Sequence, residues 1–223
     1  MFKQLTIAID GPASSGKGTV ARMVAKSLGY AYIDTGAMFR AVALIAEQRG
    51  LAWTDSTAVA TLAESLTFEF TWKEEALAVG VDGVDVTHAI RNERIGRGAS
   101  DVAVYPGVRR ALLGVQRALG RSGGIVMDGR DIGSVVLPQA ELKIYLDASV
   151  SERARRRHDE LTSMGADVDL STIQREVSSR DQQDRERENA PLIQAQDAVY
   201  LDTTGLSPTQ AAEQIIKLAA ERA

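Results

Sequence analysis

One short segment constrains this chain more than any other. Residues 11–19 read GPASSGKGT, directly after the apolar run LTIAID and directly before the helix-like run VARMVAKSL. A G-x-x-x-x-G-K core placed between a strand and a helix is built to hold phosphate. Gly11 and Gly16 let backbone N–H groups turn inward, the helix N-terminus adds its dipole, and Lys17 supplies a mobile cation for the outer phosphate oxygens. Pro12, Ala13, Ser14, Ser15, Gly18 and Thr19 complete the expected loop. Ser14 and Ser15 are read as hydroxyl and backbone contacts to phosphate, not as nucleophiles.

The loop also sets the expected fold. Five β-like runs end in Asp: Leu5–Asp10, Ala31–Asp34, Gly124–Asp128, Leu142–Asp147 and Ala198–Asp202. Most are near-continuously apolar, as strands buried on both faces of a parallel sheet are. Helical stretches alternate with them, at about 17–28, 37–49, 107–121, 149–164, 170–188 and 208–222, which is an α/β arrangement. Carboxyl ends of parallel strands line the ligand crevice. Asp10, Asp34 and Asp128 therefore read as candidates for a polar site, whereas Asp147 and Asp202 read as loop and cap residues. Residues 66–87 break the series. They alternate around turn signals at Lys73–Glu75 and Asp82–Gly83, predicting a small antiparallel insert.

Composition removes several other chemistries. The 223 residues contain no Cys, so disulfides, thiolate metal sites and cysteine nucleophiles are excluded. The two His, His88 and His158, lie far apart and offer no His-based metal cluster. His88, His158, Trp53 and Trp72 are read as structural or surface residues. Net charge is −4 with no basic tail, which disfavours a general nucleic-acid binder. No apolar run is long enough to span a membrane, and the start of the chain lacks a signal-peptide pattern, so the cytoplasm is expected. Arg outnumbers Lys 20 to 6. Genomic base composition is one reading; the other is that Arg forks bind phosphate bidentately.

Two local features narrow the chemistry. The residue after Lys17 is Gly18, so the usual hydroxyl ligand for Mg²⁺ is missing there. Mg²⁺ is then expected on the nucleotide and water, with no protein metal ligand. A GKGT loop is similar to that of nucleoside monophosphate kinases, and no NKxD guanine-recognition motif occurs. Further on come DTGAMFR (34–40), Ser100, YPGVRRAL (105–112), DGRDIGSVVLP (128–138) and RDQQDRERENAPL (180–192). With these motifs the chain resembles the bacterial cytidylate kinases along essentially its whole length.

The resemblance implies a three-layer P-loop NTPase fold with a five-stranded parallel sheet, an antiparallel insert and a helical lid. It implies a core of residues 1–34, 101–150 and 188–223, a monophosphate-binding domain of 35–100, and a lid of 151–187. It implies transfer of the γ-phosphoryl group of ATP to CMP or dCMP, with Mg²⁺, in pyrimidine nucleotide metabolism, by a cytoplasmic monomer. Matched residue by residue, Arg40, Arg130 and Arg187 would surround the acceptor phosphate. Ser100, Arg109 and Asp131 would read cytosine, and Thr35, Arg180 and Asp184 would complete the substrate set. Phe39, Ser134 and Leu137 depart conservatively from the residues common in the family. A UMP- or AMP-preferring kinase and a non-catalytic nucleotide-binding module stay open as alternatives.

The residues suit this chemistry. A phosphate monoester is already largely dianionic near neutral pH, so no general base is needed. The reaction needs two repelling anions neutralised and aligned. The stretch 151–187 carries eight Arg and no Lys, and a Ser149–Glu152 capping box is expected to start its helix. Arg153, Arg156 and Arg157 follow helical spacing and are expected to share one face, as catalytic lid residues that close on ATP and exclude water. A solvated basic face is the plainer reading of the same run.

Overall fold

In the computed structural model, which describes residues 4–73, 76–121 and 123–223, strand β1 (Thr6–Asp10) is the axis of a five-stranded sheet. The order is β2-β6-β1-β7-β8, with β2 Ala31–Asp34, β6 Ile125–Gly129, β7 Leu142–Asp147 and β8 Val199–Asp202. β1 pairs in parallel with β6 and β7, setting Ile7 opposite Val126 on one side and Leu142 on the other. The apolar runs of β1, β6 and β7 are buried almost throughout, as double-faced coverage demands. Successive strands build first to one side of β1 and then, from β7, to the other. The loop after β1 thus sits at a topological switch point, where open α/β sheets bind ligands.

The chain forms two compact units, residues 1–31 with 123–223 and residues 32–122. In the first, α1 (Lys17–Leu28) buries Val20, Ala21, Val24 and Ala25, packs on α8 (Pro208–Ala220) and lies along β6. α8 begins with a capping box between Ser207 and Gln210. α6 (Val150–Ser163) and α7 (Leu170–Glu186) pack on each other through Ala154, Ile173 and Val177. Only half of the expected Ser149–Glu152 box forms. Ser149 Oγ accepts from the Glu152 amide at 3.2 Å, while the Glu152 carboxylate turns to Arg155 and Arg156.

The second unit has its own core, which includes Met38, Val42, Val59, Leu62, Ile90, Ile95 and Leu112. α2 (Thr35–Gln48) runs against α4 (Glu93–Val102), and α3 (Ser56–Ser65) against α5 (Pro106–Gly120). The insert is the expected antiparallel sheet: β3 (Phe68–Lys73), β4 (Ala76–Val81) and β5 (Val84–Asp85). Asp82 and Gly83 turn with φ of 51° and 80°, the pair of positive values a tight hairpin requires. The turn at Lys73–Glu75 and the packing of Trp72 fall outside the described residues and side chains. Trp53 does pack: its Nε1 donates to the Ala43 carbonyl at 2.9 Å, and a Cβ on Gly98 would sit 2.6 Å from its ring. α5, expected with the core at 101–150, lies in the second unit because Val108 and Leu112 bury in that unit's cluster.

Candidate active site

The phosphate loop runs from Gly11 to Gly16 between β1 and α1. Gly11 passes so close to β7 that a Cβ would meet the Leu146 carbonyl oxygen at 2.0 Å, so only glycine fits. Ser14 and Gly16 both take left-handed backbone, with φ of 57° and 88°, and this closes the loop. No side chain caps α1 at Gly16. The first-turn amides with the helix dipole behind them therefore favour an anion there.

Lys17 opens α1 and is nearly enclosed, 9% exposed, with Nζ donating to the Pro12 carbonyl at 3.1 Å. Burial, then the nearby Arg130 charge, lowers its pKa to about 7, while Asp128 and Asp184 pull it back up. An arriving phosphate would restore the cation, because an anion favours the charged form. Asp10, at the end of β1, accepts from the Ile132 and Gly133 amides at 2.7 Å each. Burial pushes it up to about 7 against the pull of those two donors. Asp10 thus holds the short π-helical turn Ile132–Val136, which directly follows Arg130 and Asp131. Asp147 and Asp202 act locally as expected: Asp147 accepts from the Ala148 amide and Asp202 from the Thr204 amide.

Around this turn lies a charge network. Arg130 Nε donates to Asp184 at 2.6 Å. Arg187 reaches Asp131 at 3.5 Å and Asp184 at 3.6 Å, and its Nε donates to the Ala190 carbonyl at 2.6 Å. Burial alone would raise Asp184, yet Arg130, Arg187 and Arg180 hold its carboxyl below the usual range. The first unit therefore brings Lys17, Arg130, Asp131, Arg180, Asp184 and Arg187 into one electrostatic cluster.

On the other side of the loop is a cleft of about 390 Å³. Ser14, Ser15, Gly16, Thr19, Arg156, Arg157, Glu160 and the segment from Thr203 to Pro208 are among its lining residues. Arg156 spans its mouth, donating to the Ser15 carbonyl at 3.0 Å and the Thr203 carbonyl at 2.7 Å, with Glu152 steadying Nε at 2.9 Å. Arg157 pairs with Glu160 at 2.6 Å. Arg153 departs from the expected shared face. It is 1% exposed and enclosed between Asp181 and backbone carbonyls, because its stem enters the packing between α6 and the loop. Thr203, Leu206 and Ser207 carried no motif and escaped sequence reasoning. Asp181 did as well, although it adjoins Arg180 in the motif.

The second unit supplies its own set. Thr35 is buried at the start of α2. Asp34 caps that helix through the Ala37 amide at 3.1 Å and holds Arg40 at 2.6 Å and Arg91 at 3.3 Å. A Cβ on Gly36 would crowd Asp34 and Arg40 at 3.1 and 3.3 Å, so the glycine makes room for this pair. Arg109 donates to the Ala103 carbonyl at 3.2 Å and lies over the Phe39 ring at 5.3 Å. Ser100 sits on α4, its hydroxyl 3.5 Å from the Gly96 carbonyl. His88 only precedes the short 3-10 turn at Ala89–Arg91, and His158 lies on α6 beside Asp159 at 3.7 Å.

Comparisons with known proteins identify the family. The family model described as cytidylate kinase matches residues 7–221. The cytidylate kinase of Geobacillus sp. (strain WCH70) is 48% identical over 100% of this chain and 99% of its own. That of Streptococcus pneumoniae (strain 70585) is 49% identical over 96% of each. Among solved structures, an uncharacterized protein from Eubacterium ventriosum ATCC 27560 superposes with a TM-score of 0.56 at 12% identity, covering 98% of this chain and 100% of that one, a likeness of fold alone. A match from β1 to the end of α8, with the phosphate loop and the charge network both inside it, leaves one assignment: this chain belongs to the cytidylate kinase family.

Proposed function

We propose that the protein transfers the γ-phosphoryl group of ATP to CMP or dCMP, giving CDP or dCDP and ADP. One observation carries the reading. The same unit holds a closed phosphate loop with Lys17 at its base and, beside it, the Arg130–Asp184–Arg187 network. A donor loop next to converging guanidinium groups suits two phosphorylated substrates that exchange a phosphoryl group.

In this mechanism the loop amides and Lys17 hold the ATP phosphates. Lys17 neutralises charge on the outer phosphate oxygens as the bond to the leaving oxygen lengthens. Arg130 and Arg187 bind the acceptor phosphate, which aligns its oxygen for in-line attack; Arg40, in the second unit, is assigned to that phosphate by the family resemblance. Asp184 holds Arg130 in place and, with Thr35 and Arg180, contributes to binding the nucleotide. Asp131, Arg109 and Ser100 distinguish cytosine, which offers an amino donor at position 4 and an acceptor at position 3. Arg156 and Arg157, on the α6–α7 lid of residues 151–187, close over ATP and keep water from competing with the acceptor.

Mg²⁺ would accompany ATP and neutralise charge between its phosphates. The donor set fits an ion brought by the nucleotide. Among the described residues no group of three or more His, Asp or Glu could hold a metal by itself. The buried Ser15 hydroxyl has no hydrogen-bond partner, and Asp128 is a hard oxygen donor 5% exposed. These are the oxygens this chain could offer toward it. No described helix is long and apolar enough to cross a membrane. We read the enzyme as a cytoplasmic monomer of pyrimidine nucleotide metabolism that binds no nucleic acid.

The test is coupled detection of ADP with CMP, dCMP, UMP, AMP and GMP as acceptors. Turnover should be highest with CMP and dCMP. Higher turnover with UMP or AMP would overturn the cytosine assignment, and no turnover with any acceptor would favour a non-catalytic binding module.

A further inference from the structure

Arg153 and Asp181 form an almost fully enclosed ion pair beside the loop, at 1% and 2% exposure, with Arg153 Nη2 2.6 Å from Asp181 Oδ2. Both also reach one residue of the phosphate loop. Arg153 Nη1 donates to the Ala13 carbonyl at 3.0 Å, and the Ala13 amide donates to Asp181 Oδ1 at 3.3 Å. Arg153 Nε is spent on the Ala148 carbonyl at 2.9 Å, and Asp147 lies 3.4 Å away. Ala13 therefore has neither backbone group left for a ligand. The next residue, Ser14, holds a positive φ of 57°, an unusual value for a residue with a side chain. One turn further along α6, Arg156 donates to the Ser15 carbonyl at 3.0 Å. The helix thus grips the carbonyls on either side of Ser14.

The two grips differ in kind. Arg156 is 23% exposed on its side chain and borders the cleft, so an incoming phosphate can compete for it. Arg153 is out of reach of any ligand. A buried ion pair is a poor stabiliser, because desolvation consumes most of the attraction, and an apolar pair of similar volume often serves as well. The attraction between the two charges is therefore not what the pair adds here; it adds partners for the Ala13 and Ala148 backbone groups.

We propose that Arg153 and Asp181 are a positioning pair: by clamping both backbone groups of Ala13 they hold Ser14 in its left-handed conformation and aim the following loop amides at the ATP phosphates. This rests on the reading that loop 11–19 binds ATP. It makes Arg153 a positioning residue that touches neither substrate.

The test replaces the pair with apolar residues of similar size, Arg153→Met with Asp181→Leu. Thermal unfolding, and calorimetric binding of a non-hydrolysable ATP analogue and of CMP, are then measured. The expected result is a folded protein with a melting temperature several degrees below that of wild type, because the Ala13 and Ala148 backbone groups lose buried partners, with ATP-analogue affinity at least ~10-fold weaker and CMP affinity within about twofold. Wild-type analogue affinity in the folded double variant would overturn the proposal, as would equal weakening of both ligands. If the variant fails to fold, amide exchange by NMR on the unaltered enzyme decides. The Ala13 amide should be protected without ligand and unchanged by the analogue, while the Ser14–Thr19 amides gain protection. If the Ser14–Thr19 amides ignore the analogue, the ATP assignment of the loop fails. If they respond but Ala13 exchanges freely, only the clamp fails.

Discussion

Replacing Lys17 by Met should move stability and activity in opposite directions. The ammonium is nearly enclosed and gives up its proton at about 7 instead of 10.5. Keeping the group charged inside the fold therefore opposes folding. Asp128 and Asp184 would lose a cationic neighbour, although Arg130 and Arg180 still face Asp184. Met fills the same volume without the charge, so a net gain of about 1–2 kcal/mol is expected near neutral pH. For a chain of this size that raises Tm by about 2–8 °C. The pH dependence gives a second check. Between about 7 and 10.5 the unfolded lysine keeps a proton that the folded one has lost, so wild-type stability rises with pH across that window. The advantage of Lys17→Met should therefore shrink as pH climbs through it. Meanwhile kcat should fall by ~10²–10³-fold, the scale of losing one donor that stabilises developing charge. Urea and thermal unfolding at two pH values, with kcat from coupled ADP detection, measure all three quantities. A lower Tm, a stability gap that ignores pH, or kcat within tenfold of wild type would refute the reasoning.

Other outcomes follow from the same geometry. Gly11→Ala would push a methyl onto the Leu146 carbonyl, a central-strand backbone atom that cannot swing away, so urea unfolding should show a loss of about 2–3 kcal/mol and weaker ATP binding. Arg156→Ala combined with Arg157→Ala should cut kcat strongly while calorimetric CMP affinity holds within about twofold; an equal drop in CMP affinity would place these arginines on the wrong substrate. Asp131→Ala should lower kcat/KM for CMP far more than for UMP, because the cytosine amino group loses its acceptor. An unchanged CMP/UMP ratio would leave Asp131 with only the task of pairing Arg187.

The elements that sequence reasoning located are those whose signal is local. The five strands could be read because a strand covered on both faces must be apolar along its length. The phosphate loop could be read because glycines at fixed spacing between a strand and a helix have few other uses. By contrast α4 reads ERIGRGASDV, and with Gly96 and Gly98 inside it the stretch is absent from the helices read in the sequence. It becomes a helix because Asn92 caps it, Ile95 and Val102 bury in the core of the second unit, and Gly98 leaves room for Trp53. α3 likewise depends on packing against α5.

The same division runs through the candidate site. Helical spacing alone puts Arg153, Arg156 and Arg157 on one face and cannot say which of them meets solvent. Tertiary structure decided it, since Asp181 arrives from α7 and Ala13 from the loop to enclose Arg153, while Arg156 stays at the cleft. Asp10 is a parallel case. Its place at a strand end suggested a ligand site, but both its oxygens are committed to the Ile132 and Gly133 amides. The sequence by itself determined the strand–loop–helix that can hold phosphate, the parallel α/β sheet and the supply of guanidinium groups, because each follows from residue type and short-range periodicity. Only the tertiary structure decided which charges face a ligand and which are spent holding the backbone. That choice depends on partners up to 168 residues away in the chain, whose approach no local pattern encodes.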